Sequence, residues 1–189
     1  MKIINSKIFK IIIGLFIIGF LIGIVLYYRI GDNKEIYYYF NDIKNNNFNY
    51  SKSLISSITY NSKYIILIWI SGIAIFLTII TPILIIYRGI LNGFILISII
   101  HLFHLKGLLL GLILLFPCVL IYELVYFMIS YYSLNFSIKT YNVIKNNKTI
   151  NLRQYIKNYF YQFIIFYIVI ILNSLFETFI TSNIIRYVL

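Results

Sequence analysis

Long apolar runs separated by short polar segments make up most of this chain. Several runs hold 16 or more residues without a charged side chain, which is too long for the surface elements of a soluble domain. The runs are continuously apolar and lack the strict alternation of a membrane barrel strand. The pattern therefore predicts an all-α, polytopic integral membrane protein of about five transmembrane helices, with residues 1–189 forming a single membrane domain.

The charged residues at the ends of these runs set the bounds of the predicted spans. The spans are 11–28, 64–87, 89–105, 107–132 and 158–180. The first follows a lysine-rich start, as in a signal peptide, but its 18 residues exceed the usual signal core and no small-residue cleavage site follows. It is therefore expected to remain as an anchored helix. Pro82 is expected to kink the second span near Thr78, and the third and fourth spans should form a tight helical hairpin.

Two polar segments connect the predicted spans. Residues 29–63 hold three of the five acids and are predicted to form an external loop, with a short interfacial helix around Leu54, Ile55 and Ile58. Residues 133–157 carry five cations and no acid, and are predicted to be a basic cytoplasmic loop. Counting cations on both sides places nine inside and seven outside, which favours a cytoplasmic N-terminus and an extracytoplasmic C-terminus.

The composition supports lipid as the main solvent. The chain is 61% hydrophobic and 11% charged, with a formal net charge of +11. In a soluble protein this charge would suggest nucleic acid, but here the cations lie at the ends of apolar runs, where they face phosphate headgroups. We therefore predict the lipid bilayer as a partner and no nucleic acid. Cys118, the only cysteine, is expected to be a small packing residue.

Two similar glycine motifs open the third and fourth spans. They are Arg88-Gly89-x-x-x-Gly93 and Lys106-Gly107-x-x-x-Gly111, and each places two glycines on one helical face. Small residues at this spacing allow two helix backbones to approach closely in a bilayer. Gly89, Gly93, Gly107, Gly111 and the intramembrane Pro117 are therefore assigned to helix packing. The repetition could also mark an internal repeat of the kind found in transporters, and the pattern leaves a homo-oligomer open.

Four charged residues are candidates for a functional polar site. Glu123 and Glu177 are the only acids outside the segment 29–63, and a carboxylate at membrane depth is costly unless it is paired, protonated or hydrated. Arg88 and Lys106 are candidate partners for Glu123, together with His101 and His104. For Glu177, solvation at the outer interface is the simpler interpretation. A proton or ion path through these residues is the less favoured alternative.

The sequence contains none of the usual catalytic motifs. His101 and His104 have neither the spacing nor the intervening glutamate of a zinc protease helix. No Ser-His-Asp arrangement, phosphate-binding glycine loop or cysteine cluster occurs. We therefore predict a protein that is not an enzyme, with no catalytic residue, no cofactor and no metal site.

Four segments together resemble the bacterial stage II sporulation protein M family. In order, they are Lys63-Tyr64-Ile65-x-Leu67-x-Trp69-Ile70-x-Gly72, Arg88-Gly89-x-x-x-Gly93-Phe94, Lys106-Gly107 followed by Pro117, and Ser174-Leu175-Phe176-Glu177. The resemblance covers residues 63–185, whereas the first 62 residues are similar only in layout.

This resemblance implies a function in endospore formation. Proteins of this family act during engulfment, when the mother-cell membrane migrates around the forespore. The family resemblance implies a membrane scaffold that holds two peptidoglycan-degrading partners, stage II sporulation proteins D and P, at the septal membrane. The implied location is the cell membrane, at the sporulation septum and the engulfing membrane. The alternative hypothesis is a small transporter or channel subunit with Glu123 in its pathway.

Overall fold

The structure is a computed structural model that describes residues 6–31, 34–45, 47–114, 118–145 and 152–188. Within these ranges the chain forms seven α-helices and no strand. The helices are α1 (Ser6–Ile30), α2 (Lys34–Lys44), α3 (Tyr50–Ile73), α4 (Ile80–Leu114), α5 (Leu120–Lys145), α6 (Leu152–Phe176) and α7 (Ser182–Val188). A 3-10 turn, Ile75–Ile79, joins α3 to α4, and a π-helical turn, Glu177–Thr181, joins α6 to α7. The predicted all-α fold class is confirmed.

The long helices alternate in direction, so that the bundle has two poles. At one end, α1, α4 and α6 begin while α3 and α5 finish: the rings of Phe9 and Tyr131 lie 6.5 Å apart, and those of Phe136 and Tyr155 lie 4.8 Å apart. We call this end the basic pole after its exposed cations, which are Lys7, Lys10, Lys139, Lys145, Arg153 and Lys157. At the far pole, Tyr50 of α3 stacks on Phe179 at 5.8 Å.

Three segments are long and apolar enough to cross a bilayer. They are Lys7–Ile30, Phe76–Ile113 and Arg153–Val188, and they include α1, most of α4, and α6 with α7. Among the described residues, α3 and α5 do not meet the same criterion of length and composition. The prediction of about five spans is therefore not confirmed, although five long helices lie side by side in the bundle.

The structure contradicts the prediction of one continuous span over residues 64–87. Ala74 adopts an extended conformation (φ −94°, ψ 104°) that ends α3. The chain then reverses, so that the rings of Tyr64 and Tyr87 stack 6.3 Å apart. Pro82 lies in the first turn of α4, where its missing N–H costs least. The residues of the turn are themselves apolar, so hydropathy alone could not separate the two helices.

A second reversal occurs at His104, between the predicted third and fourth spans. His104 has φ 50° and ψ −123°, which interrupts the helical geometry inside α4. Gly107 consequently lies against the backbone of Ile99, and Gly111 lies against the side chain of Leu96. A straight helix would keep these residues well apart, so the chain forms a tight hairpin here. Pro117 lies outside the described residues.

Replacing His104 with glycine is expected to stabilise the protein. The backbone angles of His104 match the first central position of a type II′ turn, which strongly favours glycine. Removing the Cβ relieves strain of about 1 kcal/mol. We expect the midpoint of thermal unfolding in detergent to rise for His104→Gly and to fall for His104→Val. No change in either variant would show that this turn geometry is not adopted.

The two predicted loops are largely helical. Segment 29–63 contains α2 and the first half of α3, and Asn49 caps α3 by accepting from the Lys52 N–H at 3.0 Å. Segment 133–157 contains the end of α5 and the start of α6. There, contacts with neighbouring helices, such as the 2.6 Å hydrogen bond between Thr78 and Ser137, stabilise helices that local polarity did not predict. The last helix continues beyond the predicted bound of 180, through α7 to Val188.

Glycines bring α1 and α4 together as a parallel pair. Gly89 and Gly93 of α4 face the backbone of α1, while Gly19 and Gly23 of α1 face the backbone of α4. A Cβ atom added at any of these positions would overlap with a main-chain carbonyl of the other helix. The structure thus places the motif of Gly89 and Gly93 in a helix interface. Its partner is the pair Gly19 and Gly23, which has the same spacing and which sequence analysis did not single out.

Candidate functional site

A stripe of polar side chains runs along the buried face of α5. Glu123, Tyr126, Ser130, Ser133 and Ser137 recur three or four residues apart, so they lie on one side of the helix, and each is at most 3% exposed. This face packs mainly against α3 and α6. The interior of the bundle is therefore polar along one line, with hydroxyl groups toward the basic pole and a carboxylate toward the far pole.

An ion pair between Arg88 and Glu123 lies at the end of this polar line that is nearer the far pole. The Nη2 and Nε atoms of Arg88 donate to Glu123 Oε1 at 2.8 and 3.2 Å, and Asn92 Nδ2 donates to the same oxygen at 2.8 Å. Arg88 is 5% exposed and Glu123 is 3% exposed. Of the partners considered for Glu123, the structure selects Arg88. The pair joins α4 to α5 without leaving a net charge in the interior.

Three tyrosine rings surround the guanidinium group of Arg88. Its central carbon lies 4.5 Å from the ring centre of Tyr126, 5.4 Å from that of Tyr64 and 5.7 Å from that of Tyr60. Aromatic faces carry negative electrostatic potential, so each ring attracts the cation. The rings belong to α3 and α5. They therefore allow one buried arginine to hold three helices together.

Glu177 forms a second centre near the far pole. Its Oε2 accepts hydrogen bonds from Ser57 at 2.8 Å and from Tyr122 at 2.9 Å, and the Tyr122 hydroxyl also contacts Ser174 Oγ at 2.8 Å. Glu177 is half-buried and begins the π-helical turn. The helix distortion and the two hydroxyl donors fix this carboxylate between α3, α5 and α6. Protein hydroxyl groups, in addition to any interfacial solvent, therefore solvate it.

Asn61 links the two centres through α3. Tyr126 donates to Asn61 Oδ1 at 2.8 Å, and Asn61 Nδ2 donates to the backbone carbonyl of Ser57 at 3.0 Å. Tyr126 also stacks on Arg88, and Ser57 also binds Glu177. A continuous set of polar contacts thus runs from the ion pair to the second carboxylate.

One oxygen of the ion pair lacks a hydrogen-bond partner in the part of the chain that the structure describes. Arg88 and Asn92 both donate to Oε1 of Glu123, whereas its buried Oε2 accepts no hydrogen bond from a described residue. Such an oxygen can accept a proton or a hydrogen bond from water. The site can therefore have two roles: the ion pair can fix α4 against α5, or Oε2 of Glu123 can accept a proton.

The remaining candidate residues are placed elsewhere. Lys106, His101 and His104 are exposed at the hairpin of α4, and the His101 ring lies 5.7 Å from that of Tyr27. Cys118 is buried and packs with its Sγ 3.0 Å from Thr181 Oγ1. Across the described ranges, no group of three or more His, Cys, Asp or Glu side chains could hold a metal ion.

Sequence reasoning missed the neutral members of this site. Asn92 lies one helical turn after Arg88, and Tyr126 lies one turn after Glu123. This spacing places Asn92 on the same helix face as Arg88, and Tyr126 on the same face as Glu123. The spacing alone could therefore have identified both neutral residues as members of the site. In contrast, Ser57 and Asn61 lie in a segment predicted to be a loop, so their contribution required the tertiary structure.

The fold and the site together define a polytopic α-helical membrane protein whose buried polar residues join its helices. The family model for stage II sporulation protein M matches residues 12–182. The chain therefore belongs to this family and is a sporulation-related membrane protein, as the resemblance of its motifs indicated. No curated protein and no solved structure gives a significant match to the chain.

Proposed function

We propose that this protein is a membrane scaffold of engulfment that recruits or positions peptidoglycan-degrading partners at the sporulation septum. Its membership of the stage II sporulation protein M family carries the proposal. The proposed partners are stage II sporulation proteins D and P, which would perform the chemistry. In this proposal the chain itself has no enzymatic activity and needs no cofactor.

The organisation of the site supports a scaffold. Arg88 contacts residues of α3 and α5, Glu177 contacts residues of the same two helices, and Glu123 joins α5 to α4. Polar contacts of this kind fix the relative positions of helices in a bilayer, where apolar surfaces alone give little specificity. A bundle held in this way presents constant outer surfaces to other proteins.

We also propose that the basic pole faces the cytoplasm. The exposed cations of this pole lie on α1, α5 and α6, and the sequence contains no acid between Glu123 and Glu177. An excess of Lys and Arg is the usual mark of the cytoplasmic side. This orientation puts the N-terminus inside and places α2 and α7 on the side where peptidoglycan lies.

Localisation and affinity purification test the scaffold. A fluorescent fusion should concentrate at the asymmetric septum and then follow the engulfing membrane, and deletion of the gene should arrest engulfment. Purification of the tagged full chain in mild detergent should also recover the wall-degrading partners. Uniform membrane fluorescence together with normal engulfment in the deletion strain would contradict the proposal.

The unpartnered oxygen of Glu123 favours a second candidate function, a proton or ion pathway. Replacing Glu123 with glutamine keeps the shape and one oxygen acceptor but removes the charge and most of the basicity. For a scaffold, we expect Glu123→Gln to recover the wall-degrading partners as the unchanged protein does and to support engulfment. Loss of engulfment with intact recruitment and normal thermal stability would favour the pathway instead.

A further inference from the structure

Lys63 is an exposed cation at the middle of the bundle. Its neighbour Tyr64 lies against Tyr87 and Arg88 of α4, and the adjacent Ile86 packs on Gly19 of α1. Gly19 lies at the middle of the uncharged run 11–28. Since α1 crosses the bilayer, this chain of contacts places Lys63 near the membrane midplane.

The outer surface of α3 changes character at Lys63. Toward the basic pole its exposed residues are apolar, as expected for contact with lipid: Ile66, Leu67, Ile70 and Ile73. Toward the far pole its exposed residues include Lys52, Ser56, Thr59 and Lys63, interleaved with Ile55 and Tyr60. We call these last six residues the α3 stripe. At the depth of Lys63, α1 exposes apolar side chains such as Ile18 and Leu21.

Lipid acyl chains alone would leave the polar side chains of the α3 stripe without hydrogen-bond or charge partners. Lysines in membrane proteins face a protein partner or water unless they lie close enough to a helix end to reach the headgroups. The phosphates lie about 15 Å from the midplane, farther than a single lysine side chain extends. No residue in the described ranges forms a hydrogen bond or ion pair with the Lys63 ammonium group.

A second copy of the chain does not supply the missing charge. Glu123 and Glu177 are bonded within their own bundle, and Glu35 and Asp42 lie in α2, which follows the end of α1 at the far pole. The remaining acid, at position 32, lies outside the described residues. A symmetric contact through the stripe would bring two Lys63 side chains together. Water would satisfy the lysine and the hydroxyl groups but would leave Ile55, which is 65% exposed, without an apolar neighbour.

We propose that the α3 stripe docks a transmembrane helix of another protein, and that this helix carries an Asp or Glu opposite Lys63. The mixture of cations, hydroxyl groups and apolar side chains is typical of a protein interface. The proposal rests on the proposed function, since it identifies the surface through which the scaffold holds a membrane-anchored partner.

Photo-crosslinking of the full chain in sporulating cells tests the occupant of the stripe. We expect p-benzoylphenylalanine in place of Thr59 to capture a membrane protein, with the crosslinked peptide lying in an apolar helix that contains Asp or Glu. The same amino acid in place of Leu21, at similar depth on α1, should capture phospholipid. Adducts at position 59 with phospholipid alone, or with a second copy of the chain, would overturn the proposal.

Charge variants test the role of Lys63. We expect Lys63→Gln to lower the yield of the protein adduct about three- to tenfold and Lys63→Arg to preserve it. Lys157→Gln, which removes an exposed cation at the basic pole, should have no effect. Lys63→Glu should be rescued by lysine at the acidic position of the captured helix. Equal adduct yields for Lys63→Gln and the unchanged chain would contradict the proposal.

Two further outcomes separate this inference from the proposed function. If wall-degrading proteins copurify equally with the unchanged chain and with Lys63→Gln, the docking surface is wrong while the scaffold stands. If Thr59 captures an acidic helix of a protein with no connection to the cell wall, the scaffold is wrong while the docking surface stands.

Equal labelling of Thr59→Cys by a water-soluble thiol reagent in cells and in purified nanodiscs would show that water covers the stripe.

Discussion

Replacing Arg88 with methionine is expected to destabilise the protein more than any other single removal of a cation. The substitution leaves the carboxylate of Glu123 buried without its counter-charge, and losing one partner of a buried ion pair typically costs about 3–5 kcal/mol. The midpoint of thermal unfolding of the purified protein in detergent should fall steeply. Arg29→Met, which removes an exposed cation from the end of α1, should leave it nearly unchanged.

A double variant separates loss of the pair from loss of packing. Combining Arg88→Met with Glu123→Met removes both charges while keeping side chains of similar length. We expect the double variant to be more stable than Arg88→Met alone, because no uncompensated charge remains in the interior. If Arg88→Met unfolds at the same temperature as the unchanged protein, the ion pair does not form.

Replacing Gly89 with leucine is expected to separate α1 from α4. An added side chain overlaps with the backbone of α1 near Phe16, and the main chain cannot move aside as a flexible side chain could. Overpacking at such a contact costs about 1–3 kcal/mol or more. We expect less protein in the membrane fraction and a lower unfolding temperature for the fraction that folds.

Gly14 provides a matched control on the same helix pair. It lies in α1, but an added Cβ there meets no atom of a neighbouring helix within 4 Å. Gly14→Leu should therefore leave stability and yield unchanged. Equal stability of Gly89→Leu and Gly14→Leu would contradict the close parallel packing of α1 and α4.

Sequence pattern predicted the fold class and the positions of the most apolar helices. The uncharged runs of α1 and α6 are recognisable as membrane spans in the sequence, because both their length and their hydropathy are those of a spanning helix. The turn from Ala74 to Ile79 was not predictable in this way, because its residues are as apolar as the helices that it joins. Likewise, the ends of α3 and α5 are polar enough to resemble loops, and their helical structure depends on packing against other helices.

The candidate site was predicted only in part. Arg88, Glu123 and Glu177 stand out in the sequence because charges are rare inside apolar runs. Their pairing depends on the two chain reversals, at Ala74 and at His104, which bring distant segments of the chain together. The hydroxyl and amide groups that complete the network are too common in sequence to be recognised without the tertiary structure.

The parallel contact between α1 and α4 has a consequence for biogenesis. The ribosome produces α1 first, but its glycine face meets its partner only after α2 and α3 have been synthesised. Until then acyl chains or the insertion machinery must cover that face, so the pair assembles by lateral docking of helices already in the bilayer. A nascent chain that stalls before α4 consequently presents an unmatched glycine groove to membrane quality control.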